Sequence, residues 1–172
     1  MNSLILREMQ LGDENALREA LKIPSDSEVV FALGYKEELS LEDYLKNLDQ
    51  LKKGINLPSN FVPSTLFFGF VDGKIVGRLS VRHTLNESLA NVGGHVGYLT
   101  LSPFREKGYA TEMLKQSLPY CRSLGLKEIL LTCDDDNWGS IRTIESNGGV
   151  LDKEQPKIIA GSKWKRRYWI VL

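Results

Sequence analysis

The sequence predicts a mixed α/β fold (α+β): a mostly antiparallel central sheet of about seven strands, helices on both faces, and a central βαβ unit. Three observations carry this. Strand-like and amphipathic runs alternate along the chain. Two of the strand-like runs, Thr65 to Val71 and Lys74 to His83, flank an Asp72-Gly73 pair suited to a tight hairpin turn. Near the middle, a strand pattern from His95 to Leu101, a helical pattern over 108–124 and a buried-type strand from Glu128 to Cys133 follow one another as a βαβ unit.

The elements follow in order. Ser3 to Met9 alternates and reads as a first strand, and Asp13 is placed to cap a helix with Ala16, Leu17, Ala20 and Leu21 on its apolar face. Residues 24–39 read as irregular. Ser40, with Asp43 three residues on, caps a second helix that turns Leu41, Tyr44, Leu45, Leu48 and Leu51 to one side. A Gly/Asn/Pro-rich connector, Gly54 to Pro63, leads to the hairpin, and 84–94 reads as a polar loop. The helix over 108–124 gathers Ala110, Met113, Leu114, Ser117, Leu118, Cys121 and Leu124, and Pro119 inside it is expected to kink it. Asp136 or Asn137 caps a last helix, which ends near Asn147-Gly148-Gly149. Val150 to Ile159 and Trp164 to Val171 close the chain as two strands joined at Gly161-Ser162.

Composition narrows the function. The 172 residues fit one domain spanning 1–172, and Lys plus Arg equals Asp plus Glu at 22 each. No global field favours nucleic acid or an anionic membrane. The start carries no basic-then-apolar signal pattern, and no apolar run approaches the roughly 20 residues of a membrane-spanning helix. Two cysteines without CxxC spacing and two histidines make no zinc site, so no metal is expected. The Asn86-Glu87-Ser88 sequon has no secretory context. A cytoplasmic protein, monomeric or homodimeric, is expected.

One stretch carries chemistry: "LSPFREKGYATEML", residues 101–114. Arg105, Glu106, Lys107, Gly108, Tyr109, Ala110 and Thr111 lie where a strand hands over to a helix. A helix N-terminus presents unpaired N–H groups and partial positive charge, which suits a pyrophosphate. Gly108 leaves room for close approach, small Ala110 keeps the first turn open, Thr111 adds a hydroxyl, and Arg105 and Lys107 add charge. Neither GxxxxGK[ST] nor GxGxxG occurs. The turn after the next strand offers Asn137 and Ser140 to the same ligand, since ligands of α/β sheets bind at the carboxyl ends of strands.

"YLTLSPFREKGYATEML" followed by "ILLTCDDDNWGSIRTIESNGG" resembles the GNAT superfamily of acetyl-CoA-dependent N-acetyltransferases, most specifically over 64–150. The likeness is to a poorly defined bacterial branch with "GGHVGY" before the signature and "RRYWIVL" at the end. It implies a GNAT-like fold whose strand before the signature splays from its neighbour and pairs its backbone, here at Leu99 and Leu101, with the pantetheine arm. It implies that main-chain N–H groups from Arg105 through Thr111 bind the pyrophosphate, and that Asn137 and Ser140 approach the pantetheine or adenosine end. Many members carry a tyrosine as acid for the departing thiolate where this chain has Ile144, followed by Glu145.

The resemblance implies acetyl-CoA as donor and an amine as acceptor, with direct attack in a ternary complex. An amine holds its proton until pH is roughly 10, so a base is useful. His95 is the first candidate, with Tyr98 and Glu145 behind it. Cys133 reads as packing, and Asp134 to Asp136 as capping and solvating a turn. Two other readings stand beside the enzyme. Ile144 in place of an acid suits a non-catalytic acyl-CoA sensor. The Lys163-Trp164-Lys165-Arg166-Arg167 stretch suits RNA or the cofactor's 3′-phosphate, although the balanced charge opposes RNA.

Overall fold

The computed structural model describes residues 3–24 and 30–172. Residues 25–29, part of the stretch expected to be irregular, lie outside the described residues. The elements are β1 (Ile5–Arg7), α1 (Glu14–Leu21), α2 (Leu41–Lys53), β2 (Ser64–Val71), β3 (Lys74–Arg82), α3 (Glu87–Asn91), β4 (Val96–Thr100), α4 (Tyr109–Ser123), β5 (Glu128–Asp134), α5 (Trp138–Glu145), β6 (Val150–Leu151), β7 (Lys157–Ala160) and β8 (Lys163–Val171). They form two antiparallel sheets, one ordered β1-β2-β3-β4, the other β5-β8-β6 with β7 also on β8.

The strand count is eight, because the run from Val150 to Ile159 divides. Asp152 breaks it: its Oδ1 accepts the N–H groups of Glu154 and Gln155, which turns the chain before Pro156. The expected polar loop holds α3, capped by Asn86, whose Oδ1 accepts the Leu89 N–H at 2.9 Å. Asp13 does not cap α1 through its side chain. Its carboxylate accepts the Gln10 N–H at 2.8 Å and pairs with Arg7 at 2.6 Å. Helix α4 runs through Pro119 without a break.

Each face of the first sheet carries a core. On one face, Leu66, Phe68, Phe70 and Ile75 pack under Leu17, Ala20, Leu41 and Tyr44 of α1 and α2. On the other, Val76, Leu79, Val81 and Val96 pack under Met113, Leu114 and Cys121 of α4 and Ile141 and Ile144 of α5. Gly69 and Gly77 are cross-strand partners, and Met113 lies where their side chains would be. The register jumps from Gly69↔Gly77 to Phe70↔Ile75, so Val76 is an unpaired extra residue on β3, a bulge. After it, the alternation changes face. Arg78, Ser80 and Arg82 therefore lie beside Phe68, Leu66 and Ser64, their cross-strand partners, on the α1–α2 side.

Candidate active site

The site forms where β4 and β5 part. The turn entering β4 is bonded to β5: the Gly93 N–H reaches the Thr132 hydroxyl at 2.8 Å, and the His95 N–H reaches the Leu130 carbonyl at 2.7 Å. Beyond a single bridge, Gly94↔Leu131, the two strands belong to separate sheets. Gly94 has φ +62°, and any Cβ there would collide with the Leu130 carbonyl, so this close approach requires glycine.

The free edge of β4 follows from its register with β3. Arg82 N–H donates to His95 O at 2.7 Å, and Leu101 N–H donates to Val76 O at 2.9 Å. Antiparallel strands alternate which residues bond to a given neighbour. His95, Gly97, Leu99 and Leu101 thus pair with β3, while the main-chain groups of Val96, Tyr98 and Thr100 face outward. Leu99 and Leu101, expected to pair with the pantetheine arm, have their main-chain groups on the β3 side. Their side chains instead line a cavity of about 230 Å³ with Phe31 and Arg105.

The signature turn follows. Ser102–Phe104 forms a 3-10 turn with Pro103 at its start. Arg105 Nε donates to the Thr100 carbonyl at 3.2 Å, and Lys107 Nζ donates to the Pro103 carbonyl at 3.1 Å. Glu106 holds φ +61°, a left-handed conformation uncommon outside glycine. Gly108 precedes α4 at φ +76°, and open space surrounds the position its Cβ would take. Tyr109, Ala110 and Thr111 form the first turn of α4, whose N–H groups have no partner within the helix. The Thr111 hydroxyl lies 3.4 Å from that of Thr143, and Asn147 Nδ2 bonds the carbonyls of both residues. These contacts lock α5 to the start of α4. Thr100 Oγ1, beside the free edge, is buried without a partner among the described residues.

The remaining candidates separate. Asn137 caps α5, its Oδ1 accepting the Ser140 N–H at 3.0 Å. The Tyr98 hydroxyl donates to the Ser140 carbonyl at 3.3 Å, and burial raises its pKa well above the usual phenol value. His95 is buried, and its Nδ1 accepts the Leu130 N–H at 2.9 Å, which leaves the ring proton on Nε2. Burial first, then the Arg82 charge, lowers its pKa. Glu145 is exposed on α5 and accepts from the Tyr168 hydroxyl at 3.2 Å. Ile144 is core. Burial pushes the Cys133 thiol up to about 11, consistent with packing.

The basic C-terminal stretch is matched by acids. Asp134 pairs with Lys165 and with Lys163 at 3.6 Å, and Asp135 pairs with Arg166 at 2.5 Å and Lys157 at 3.0 Å. Asp134 and Asp135 are thus ion-pair partners of the last hairpin. Arg167 pairs with Asp152, both side chains about nine-tenths buried.

The sequence reading missed a cluster on the α1–α2 face. Arg82 Nη1 donates to the carbonyls of Gly93 and Gly94 at 3.2 and 2.8 Å, fastening the turn where the strands part. Arg78 donates to Ser80 Oγ at 3.4 Å and to Val30 O at 3.1 Å. Burial, then the Arg82 charge, pulls the Arg78 pKa down to about 10. A cavity of about 260 Å³ opens there, lined by Ser64, Leu66, Ser80, Arg82, Phe61 and Leu89. Gly97, cross-strand from Ser80, adds no side chain over it.

The family model described as Acetyltransferase (GNAT) domain matches residues 3–150. The chain belongs to the GNAT acetyltransferases. No curated protein matches it. Among solved structures, this GNAT chain resembles a GNAT-family acetyltransferase from Streptococcus pneumoniae (14% identity, 99% of both chains, TM-score 0.65). It also resembles yncA of Salmonella typhimurium, solved with its cofactor acetyl-CoA (12% identity, 99% of this chain and 94% of that one, TM-score 0.62). A third is the Salmonella typhimurium acetyl transferase that modifies the N-terminal serine of ribosomal protein L7/L12 (17% identity, 100% and 96%, TM-score 0.63). At these identities the likeness is one of fold. Among the described residues, no helix is long and apolar enough to cross a membrane.

Proposed function

We propose that this GNAT acetyltransferase moves an acetyl group from acetyl-CoA to a primary amine of a small molecule, by direct attack in a ternary complex. One observation carries the reading. The unpaired edge of β4 ends at the open first turn of α4, and its paired neighbour β3 carries Ser80 and Arg82 on the wall of a small cavity. Donor and acceptor sites then lie on neighbouring strands, β4 and β3.

The residues divide the work. The first-turn N–H groups of α4, entered past Gly108, hold the pyrophosphate. The outward main-chain groups of Tyr98 and Thr100 pair with the pantetheine arm, and a strand N–H on that edge stabilises charge on the thioester oxygen. Tyr98 takes the acid's part that Ile144 cannot. Its hydroxyl, which donates to the Ser140 carbonyl, is protonated at neutral pH, as a phenol titrating near 10 already is, so it has a proton to give to the departing thiolate. His95 does not serve as base in this account, because its accepting nitrogen is occupied. The positive field of Arg82 favours the neutral form of an amine entering the cavity, which is the nucleophilic form.

An acceptor screen tests this. Purified protein with acetyl-CoA and a panel of small amines should release free thiol above the hydrolysis background with at least one class. The N-terminal amine of a short peptide belongs in the panel, since one structural relative acts on a protein N-terminus. Turnover with the peptide alone would replace the small acceptor by a protein one. Acetyl-CoA binding without turnover on any amine would favour the sensor reading.

A further inference from the structure

We infer that the acceptor carries a carboxylate, seated on the free donors of Arg82 beside Ser64 and Ser80, with an apolar body against Leu66 and Leu89. The inference rests on the 260 Å³ cavity being the acceptor site of the acetyltransferase.

The observation behind it is a pair of cations without a counter-charge among the described residues. Arg78 and Arg82 lie four residues apart on one face of β3, with Ser80 between them, and Arg78 is only 7% exposed. Among the described residues neither meets a carboxylate. The other strongly buried arginine, Arg167, pairs with Asp152 at 3.3 Å. Buried guanidinium groups are ordinarily paired, since leaving water without a counter-charge costs several kcal/mol. Arg82 Nη1 is engaged by the Gly93 and Gly94 carbonyls, but Nη2 and Nε have no acceptor among the described residues, and Arg82 lines the cavity. A planar carboxylate matches two such donors side by side.

The rest of the lining refines the ligand. Among the described residues it includes Leu33, Leu51, Val62, Leu66 and Leu89 and no acidic residue, so the described lining offers a second ammonium group no partner. The volume lies near the lower edge of small-molecule sites, roughly 300 Å³. An amino acid with an apolar body, or an ω-amino acid, has the matching chemistry.

The test compares each acid with its amide. With saturating acetyl-CoA, thiol release is followed for leucine against leucinamide and for 5-aminopentanoate against 5-aminopentanamide. At least one acid should exceed its amide tenfold or more in kcat/KM, and Arg82→Gln should bring that ratio near one. Because Arg82 also holds the turn at Gly93 and Gly94, a second arm uses the wild-type protein without acetyl-CoA. 4-Methylpentanoate and its amide are titrated while arginine Nε–H signals are followed by NMR. The acid should shift a slowly exchanging, buried arginine signal, and the amide should not. Equal turnover of acids and amides, or no difference between the two probes, overturns the inference. If acetyl-CoA neither binds nor reacts while 4-methylpentanoate still shifts the arginine, the anion site stands and the acetyl-transfer reading falls.

Discussion

His95 and Leu130 are joined twice: the His95 N–H meets the Leu130 carbonyl at 2.7 Å, and the Leu130 N–H meets His95 Nδ1 at 2.9 Å. One residue thereby pins the start of β4 to β5, immediately before the strands separate. Its imidazole acts as an acceptor that strand geometry alone does not supply.

Removing that acceptor leaves a buried N–H unpaired. His95→Ala should destabilise the fold by about 1–3 kcal/mol in urea denaturation. His95→Gln, which keeps an acceptor, should recover part of the loss and most of the turnover. A Gln variant with intact stability but abolished turnover would restore His95 as a base.

The pH dependence follows from the direction of its shift. Burial and the Arg82 charge place the folded pKa below the ordinary value near 6.5, so the unfolded chain binds the proton more readily. His95 therefore contributes stability that is present above about pH 6.5 and lost as pH falls toward the folded pKa. His83, also lowered by burial, acts with the same sign. Urea midpoints should fall between pH 7.5 and pH 5.5, and His95→Gln should flatten that slope. An unchanged slope would place the titration elsewhere.

Tyr98→Phe removes one hydroxyl, which donates to the Ser140 carbonyl at 3.3 Å and also interacts with the Thr143 side chain. The variant should fold normally and bind acetyl-CoA with unchanged affinity, while kcat falls on the order of a hundredfold. Undiminished kcat would move proton delivery to water or to another group.

Glu106 holds φ +61° in the signature turn, a conformation that disfavours a side chain. Glu106→Gly should stabilise the protein by about 1 kcal/mol in chemical denaturation, without weakening acetyl-CoA binding. A loss of stability would show that the carboxylate makes a compensating contact.

Where local signals governed local structure, the sequence was readable. Asp72-Gly73 makes the hairpin turn between β2 and β3, Ser40 caps α2 through Asp43, and Asn137 caps α5. The Gly108 turn opens α4 as its motif implies. What escaped depends on contacts distant in sequence. Arg78-Ser80-Arg82 alternates with Leu79 and Val81 and looks like the wet face of a strand. The Val76 bulge and the cover of α1 and α2 are what bury it. The outward edge of β4 turns on a register with β3 that no pattern within Gly97-Tyr98-Leu99-Thr100 encodes. Helix α3 is too short for a periodicity, and only its Asn86 cap announces it. The basic hairpin looked available because its partners, Asp134 and Asp135, lie some thirty residues earlier across the sheet.

The central claim is that the start of α4 and the edge of β4 form the donor site. Calorimetric titration of acetyl-CoA into the wild-type protein and into Gly108→Val tests it most directly. Gly108 sits at φ +76° with open space around its Cβ position, so valine both strains the turn and fills the approach to the first-turn N–H groups. The account predicts saturable one-site binding to the wild type and at least a hundredfold weaker binding to a folded Gly108→Val. Equal affinity in the two proteins, or no binding to the wild type, would contradict it.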